Sequence, residues 1–247
     1  MIYDTALDKL LEQPTPRFGD CPICMVRMPS STHGRIFYGC CGKMVCSGCS
    51  HSPVYDHLGK KSVDKCPFCR SLHPTTDEAL FEMKKKQAKA NNVYAVYSLG
   101  LAYFYGRNGL RRSIKLAMKL WHRSGDLGCA DAYLQIGFLY GSFRYRDKVK
   151  TLDYIAKAAE LGHEEARYFL GKWEMMNGNT DEAIKHLTIA ATNGEPRSLT
   201  LVQELYQYGL ATKEEYTKLL RSYQEYVTEI KSVQRDEAAV ITGCPYY

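Results

Sequence analysis

Eight cysteines between residues 21 and 69 constrain this chain more than any other feature: Cys21, Cys24, Cys40, Cys41, Cys46, Cys49, Cys66 and Cys69. Three Cys-x-x-Cys pairs stand among them, and two share the form Cys-Pro-x-Cys, at Cys21-Pro22-Ile23-Cys24 and Cys66-Pro67-Phe68-Cys69. Such a turn aims two thiolates at one tetrahedral zinc ion, about 2.3 Å from each sulfur. Eight thiols fill two four-sulfur sites and leave no open position for catalysis, so the expected cofactors are two structural Zn2+ ions. A disulfide framework is the competing use, but it needs an oxidising compartment. The opening Met1-Ile2-Tyr3-Asp4 carries an acid early and no apolar core follows, so no secretory signal is read there. Zinc thiolates and the unpaired Cys129 and Cys244 imply a reducing interior, cytoplasm or nucleus.

Composition narrows the partners. At 247 residues the chain suits two domains. No apolar run approaches the roughly 18 residues of a membrane span, so no membrane is expected. The formal charge is +6; eight thiolates remove eight charges and two zinc ions return four, leaving about +2. So small an excess argues against nucleic acid as the main partner.

Two loops of similar length, 25–39 and 50–65, separate three cysteine clusters. This order resembles a RING finger. The resemblance implies that Cys21, Cys24, Cys46 and Cys49 hold one zinc and that Cys40, Cys41, Cys66 and Cys69 hold the other. Two departures stand out: ligands three and four are adjacent, and neither is histidine. One of the pair as a bystander, with His33, His51 or His57 in its place, stays open. So does a tandem arrangement, the first four cysteines and then the last four. The resemblance also implies a ubiquitin ligase, which binds a charged ubiquitin-conjugating enzyme and stiffens its thioester-linked ubiquitin without covalent chemistry of its own. Carried over by position, Ile23 and Pro67 touch the conjugating enzyme, and Arg70, directly after ligand eight, clamps ubiquitin against its carrier. These three are the candidate catalytic residues. The aromatic residue that many RING fingers place after ligand six is replaced by Ser50.

Local signals fill in the flanks. Leu7, Leu10 and Leu11 predict one side of a short helix ended by Pro14 and Pro16. Arg35–Tyr38 reads as a strand into Cys40, with Lys43-Met44-Val45 as its return. Ser50-His51-Ser52-Pro53 makes a weak helix start. Arg70, Lys43, Lys60, Lys61 and Lys65 are expected to offset the negative clusters. Thr75-Thr76-Asp77-Glu78 has capping-box spacing, with Thr75 as the cap, and opens a linker helix whose lysines form a solvated face.

From Asn92 onward the sequence repeats. Ala95-x3-Leu99-Gly100-x2-Tyr103-x2-Gly106 aligns with Ala132-x3-Ile136-Gly137-x2-Tyr140, with Ala166-x3-Leu170-Gly171, and with a weaker fourth copy at Ser198-x3-Val202. Second helices end in Ser124-Gly125-x2-Gly128, Ala158-Ala159-x2-Gly162 and Ala190-Ala191-x2-Gly194. Small residues let paired helices approach, and no single pair buries its own face, so the pairs must stack. The pattern resembles Sel1-like repeats, cousins of the tetratricopeptide repeat, which implies a helical solenoid that binds a protein or peptide ligand. Thr212-x2-Glu215 opens a terminal capping helix with an apolar stripe from Tyr216 to Ile230. Residues past Arg235 are expected to fray, and Cys129 and Cys244 to be filler.

The expected order is an N-terminal segment (1–19), a zinc-stapled α+β RING-type finger (20–75), a linker helix (76–91), an all-α repeat solenoid with capping helix (92–227) and a tail (228–247). Having almost no apolar core, the finger is expected to fold on zinc alone, independently of the solenoid. Two functions fit: a ubiquitin ligase or ligase adaptor recruiting partners through its repeats, or a non-catalytic scaffold with a structural zinc finger. A metabolic enzyme does not fit, since there is no phosphate-binding glycine loop, nucleophile elbow or open metal site.

Overall fold

The computed structural model describes residues 10–11, 19–30, 34–52, 54–55, 61–62 and 65–245. Leu7, Pro14, Pro16, His33, His57 and Lys60 lie outside them. Contacts divide the chain into one unit of residues 18–129 with 230–247, and another of residues 1–17 with 130–229. This differs from a division near residue 76.

In the first unit, β1 (Arg35–Tyr38) and β2 (Lys43–Cys46) form the expected antiparallel hairpin, with Tyr38 opposite Lys43. Four residues, Gly39-Cys40-Cys41-Gly42, make its loop. Gly42 turns the chain at φ +71° and donates its N–H to the Tyr38 carbonyl at 2.8 Å. The helix α1 (Ser47–His51) starts earlier than Ser50, because the sulfur of Cys46 is its cap and accepts the Cys49 N–H at 3.4 Å. A short pair, β3 (Val54–Tyr55) with β4 (Lys61–Ser62), follows. The linker helix α2 (Asp77–Lys89) is capped one residue later than expected: Thr76, not Thr75, has the extended backbone and accepts the Ala79 N–H at 3.2 Å.

The finger does not stand alone. Phe37 of β1 and Phe81 of α2 pack on a buried cluster of Ala88, Ala95, Val96 and Leu99, which joins α2 to α3 (Val93–Tyr105). Asn92 donates to the Gly42 carbonyl at 2.8 Å, and Gln87 donates to that of Cys40 at 3.4 Å. A module this small buries too little by itself, so it shares the core of the helices beside it. α4 (Ile114–Asp126) packs on α3 where Gly100 faces the Trp121 indole, and a Cβ there would collide with the ring.

The expected loose tail is instead a helix, Val233–Thr242, capped by Ser232. It packs on α1 at Gly48, where a Cβ would come within 2.8 Å of the Arg235 nitrogen. A buried arginine inside an amphipathic ten-residue stretch reads in sequence as a polar end, and its partners lie some two hundred positions away.

The second unit repeats the helical pair: α5 (Ala130–Gly141) with α6 (Lys148–Glu160), α7 (Glu164–Met176) with α8 (Thr180–Thr192), then α9 (Arg197–Gln207) and α10 (Lys213–Ile230). Gly137 meets Ile155 and Gly171 meets Leu187, with would-be Cβ contacts of 3.0 and 2.9 Å. Ala132, Ala166 and Ser198 are wholly buried at the matched positions. Leu10, in a helical turn, joins the core of Leu134, Ile155 and Leu170. Thr212 and Glu215 cap α10 reciprocally, as their spacing predicts.

Candidate metal centres

The two Cys-Pro-x-Cys turns fold identically. Cys21 N–H bonds the Val26 carbonyl and Met25 N–H bonds that of Cys21, at 3.0 and 2.9 Å; Cys66 with Ser71 and Arg70 with Cys66 repeat this at 2.8 and 2.9 Å. Each turn closes with an antiparallel bridge, Asp20 to Arg27 and Lys65 to Leu72. Each carries a left-handed residue just after its second cysteine, Met25 at φ +56° and Arg70 at φ +64°. Amides directed at sulfur complete the pattern: Cys69 N–H lies 3.5 Å from Cys66 Sγ, and Cys46 N–H 3.5 Å from Cys21 Sγ.

These turns bring the sulfurs into two groups of four, each within 4.8 Å of one another: Cys21, Cys24, Cys46, Cys49, and Cys40, Cys41, Cys66, Cys69. The groups interleave along the chain. A tetrahedron with zinc–sulfur bonds of about 2.3 Å separates its sulfurs by about 3.8 Å. Cys24 and Cys46 are 3.8 Å apart, Cys41 and Cys66 3.9 Å, Cys40 and Cys69 3.4 Å. A disulfide needs about 2.05 Å, and all ten cysteines are free thiols. Both members of the adjacent pair belong to the second group because a hairpin loop, unlike a strand, does not alternate its side chains. His51 belongs to neither group, each of which is made of four cysteines, and its Nδ1 is engaged with the Ser47 carbonyl at 2.9 Å.

Charge on the sulfurs tells the same story. The hydrogen bond with Cys46 holds Cys21 down at about 4, and the same bond together with burial pushes Cys46 up. Burial, with the Cys21 charge beside it, pushes Cys49 up to about 12. In the second group the Ser71 hydroxyl holds Cys69 at about 6, while burial raises Cys40 and Cys41. Cys40, Cys41, Cys46 and Cys49 are thus held toward the protonated thiol, and a dication at the centre of each group would deprotonate them. The donor set thus fits a metal ion such as Zn2+, which would tie three loops into one fold.

Arg235 is the residue that the sequence did not offer. It is fully buried, and its guanidinium donates to the carbonyls of Arg27 at 2.7 Å, Ile230 at 2.5 Å and Val26 at 3.2 Å, with Cys24 Sγ at 3.9 Å. Despite burial, which lowers its pKa, the neighbouring sulfurs of Cys46 and Cys24 raise it, so it stays cationic beside the first group. Of the lysines expected near the cysteines, Lys43 lies over the ring of Phe68, inside the second turn, at 5.8 Å.

Of the other candidates, Ile23 is 40% exposed beside the first turn. Pro67 is half-buried and Arg70 exposed at the second. Ser50 turns its hydroxyl onto the Tyr38 phenol at 2.7 Å.

Residues 93–195 are three Sel1 repeats: the Sel1 repeat family matches residues 93–129, 130–163 and 164–195. One solved structure agrees at the level of fold. A Sel1 repeat protein from Oxalobacter formigenes superposes with a TM-score of 0.52 at 22% identity, over 68% of this chain and 71% of that one. An immunity protein from Pseudomonas aeruginosa matches with a TM-score of 0.45 at 23% identity, over 68% and 62%. Chitin synthase regulatory factor 1 of Schizosaccharomyces pombe is 35% identical over 81 residues, which is 31% of this chain and 18% of that protein. No helix among the described residues is long and apolar enough to cross a membrane.

Proposed function

We propose that residues 20–75 form a RING-type module holding two structural zinc ions, and that the chain is a ubiquitin ligase or ligase adaptor recruiting its protein partner through Sel1 repeats. One observation carries this reading: the interleaved gathering of eight cysteines into two four-sulfur groups, the cross-brace by which a RING finger is recognised. Ile23 and Arg70 support it, since both are exposed next to a knuckle while binding no metal themselves. Ile23 and Pro67 contact the conjugating enzyme, and the Arg70 fork donates to carbonyls of ubiquitin and its carrier. A relative named as a regulatory factor fits a protein-binding role for the repeats. Eight zinc thiolates and two further cysteines outside any disulfide fit a reducing interior, cytoplasm or nucleus.

Thioester discharge with a panel of conjugating enzymes tests this. The wild type should discharge at least one; Ile23→Ala should weaken binding, and Arg70→Ala should slow discharge about tenfold, which is about 1.4 kcal/mol. A second reading, a zinc-stapled scaffold without ligase activity, is favoured by Ser50, whose hydroxyl is spent on Tyr38 where an aromatic contact is expected. A wild type that discharges no conjugating enzyme selects the scaffold.

A further inference from the structure

A cavity of about 450 Å³ opens between α6 and α7 of the second unit. Its floor is apolar: Leu152, Ile155, Phe169, Trp173 and Met176 line it. Its rim is cationic, formed by Arg146, Lys148 and Lys172, and no lining residue is a carboxylate. The carboxylates around it are committed elsewhere. Asp147 caps α6 and pairs with Lys150 at 3.3 Å, Asp153 pairs with Lys157 at 2.9 Å, and Glu174 is buried and bonds Asn179 at 2.7 Å. No carboxylate among the described residues pairs with Lys148 or Lys172, and Arg146 lies over the Phe143 ring at 3.9 Å. Met176 is 72% exposed at the mouth.

We infer that this cavity is the docking site of the repeats, and that its occupant is a short segment of a partner protein carrying one large apolar side chain flanked by carboxylates. The apolar chain fills the floor against Trp173, and the carboxylates meet the three cations of the rim. Aromatic residues in a half-enclosed pocket contribute most of the binding energy at such sites, and rim charges set orientation and rate. The inference deepens the adaptor reading above and rests on its claim that the repeats bind protein, but not on ligase activity.

The test uses the full chain and a fluorescein-labelled peptide with one tryptophan between two pairs of glutamates, against the same peptide with lysines in place of the glutamates. Fluorescence anisotropy should show the acidic peptide binding about tenfold more tightly or better, with affinity falling as salt rises. Trp173→Ala should lower that affinity about tenfold, and so should the surface double variant Lys148→Glu/Lys172→Glu, whose exposed positions spare the fold. Equal binding of the two peptides, or undiminished binding by the charge-reversed variant, overturns the assignment, as does absence of binding by the wild type. The discharge assay above reads the ligase separately: a chain that discharges its conjugating enzyme yet ignores the acidic peptide keeps the first reading and loses this one.

Discussion

Arg235→Met removes a buried cation while keeping most of the side chain's volume. Three carbonyls lose their donor, and the first sulfur group loses the guanidinium beside it. Hydrogen bonds from a charged donor contribute about 1.5–3 kcal/mol each, and they do not add fully. Val26 and Arg27 are only half-buried, so water recovers part of the loss at their carbonyls. About 3 kcal/mol remains, which for a unit of this size lowers the melting temperature by roughly 10 °C. Groups in the outer shell of a metal site commonly account for a 10- to 100-fold change in affinity, so the first zinc should be released to a chromophoric chelator about that much more readily. The second zinc, far from Arg235 in the hydrogen-bond pattern, should keep its affinity, making release biphasic. Arg235→Lys should recover only part of either effect, because one ammonium does not span four acceptors. An Arg235→Met variant that melts and releases zinc like the wild type would refute the reasoning.

Other perturbations reach different parts of the chain. Strong chelation should cost helical signal well beyond the finger, because α2, α3 and the C-terminal helix share its core; hydrogen exchange should rise across 77–126 and 233–242 and stay low across 130–229. Equal protection of 77–126 before and after chelation would show the shared core to be unimportant. His186 is fully buried, neither ring nitrogen has a partner among the described residues, and burial holds its pKa down at about 3 against an ordinary 6.5. A depressed pKa means that the unfolded chain takes up the proton first, so stability present above about pH 6.5 is lost as pH falls toward 3. His186→Leu should therefore add about 1–3 kcal/mol at neutral pH and flatten the acid limb of urea-unfolding curves; a variant with the wild-type acid slope would exclude His186 as its source.

Much of the architecture is local, which is why it could be read from the sequence. Cys-x-x-Cys spacing, the Leu-Gly or Ile-Gly step that admits Trp121, Ile155 or Leu187, and the Thr212–Glu215 cap each depend on neighbours within one helical pair or turn. What escaped was long-range. Arg235 bonds residues about two hundred positions away, Asn92 reaches Gly42, and neither carries a motif. The cap of α2 slipped by one residue because Thr75 and Thr76 both satisfy the pattern, and only backbone conformation chooses between them. The cap of α1 was missed because a cysteine sulfur took a role usually given to serine or aspartate.

Everything proposed for the finger depends on metal in the two cysteine groups, so elemental analysis of the purified full chain, with X-ray absorption at the zinc edge, tests the account most directly. The expected result is two zinc ions per chain, each with four sulfurs at about 2.3 Å, and one zinc lost or weakened in both Cys40→Ser and Cys41→Ser. Fewer than two zinc ions, nitrogen in the coordination shell, or disulfides among the eight cysteines would contradict it.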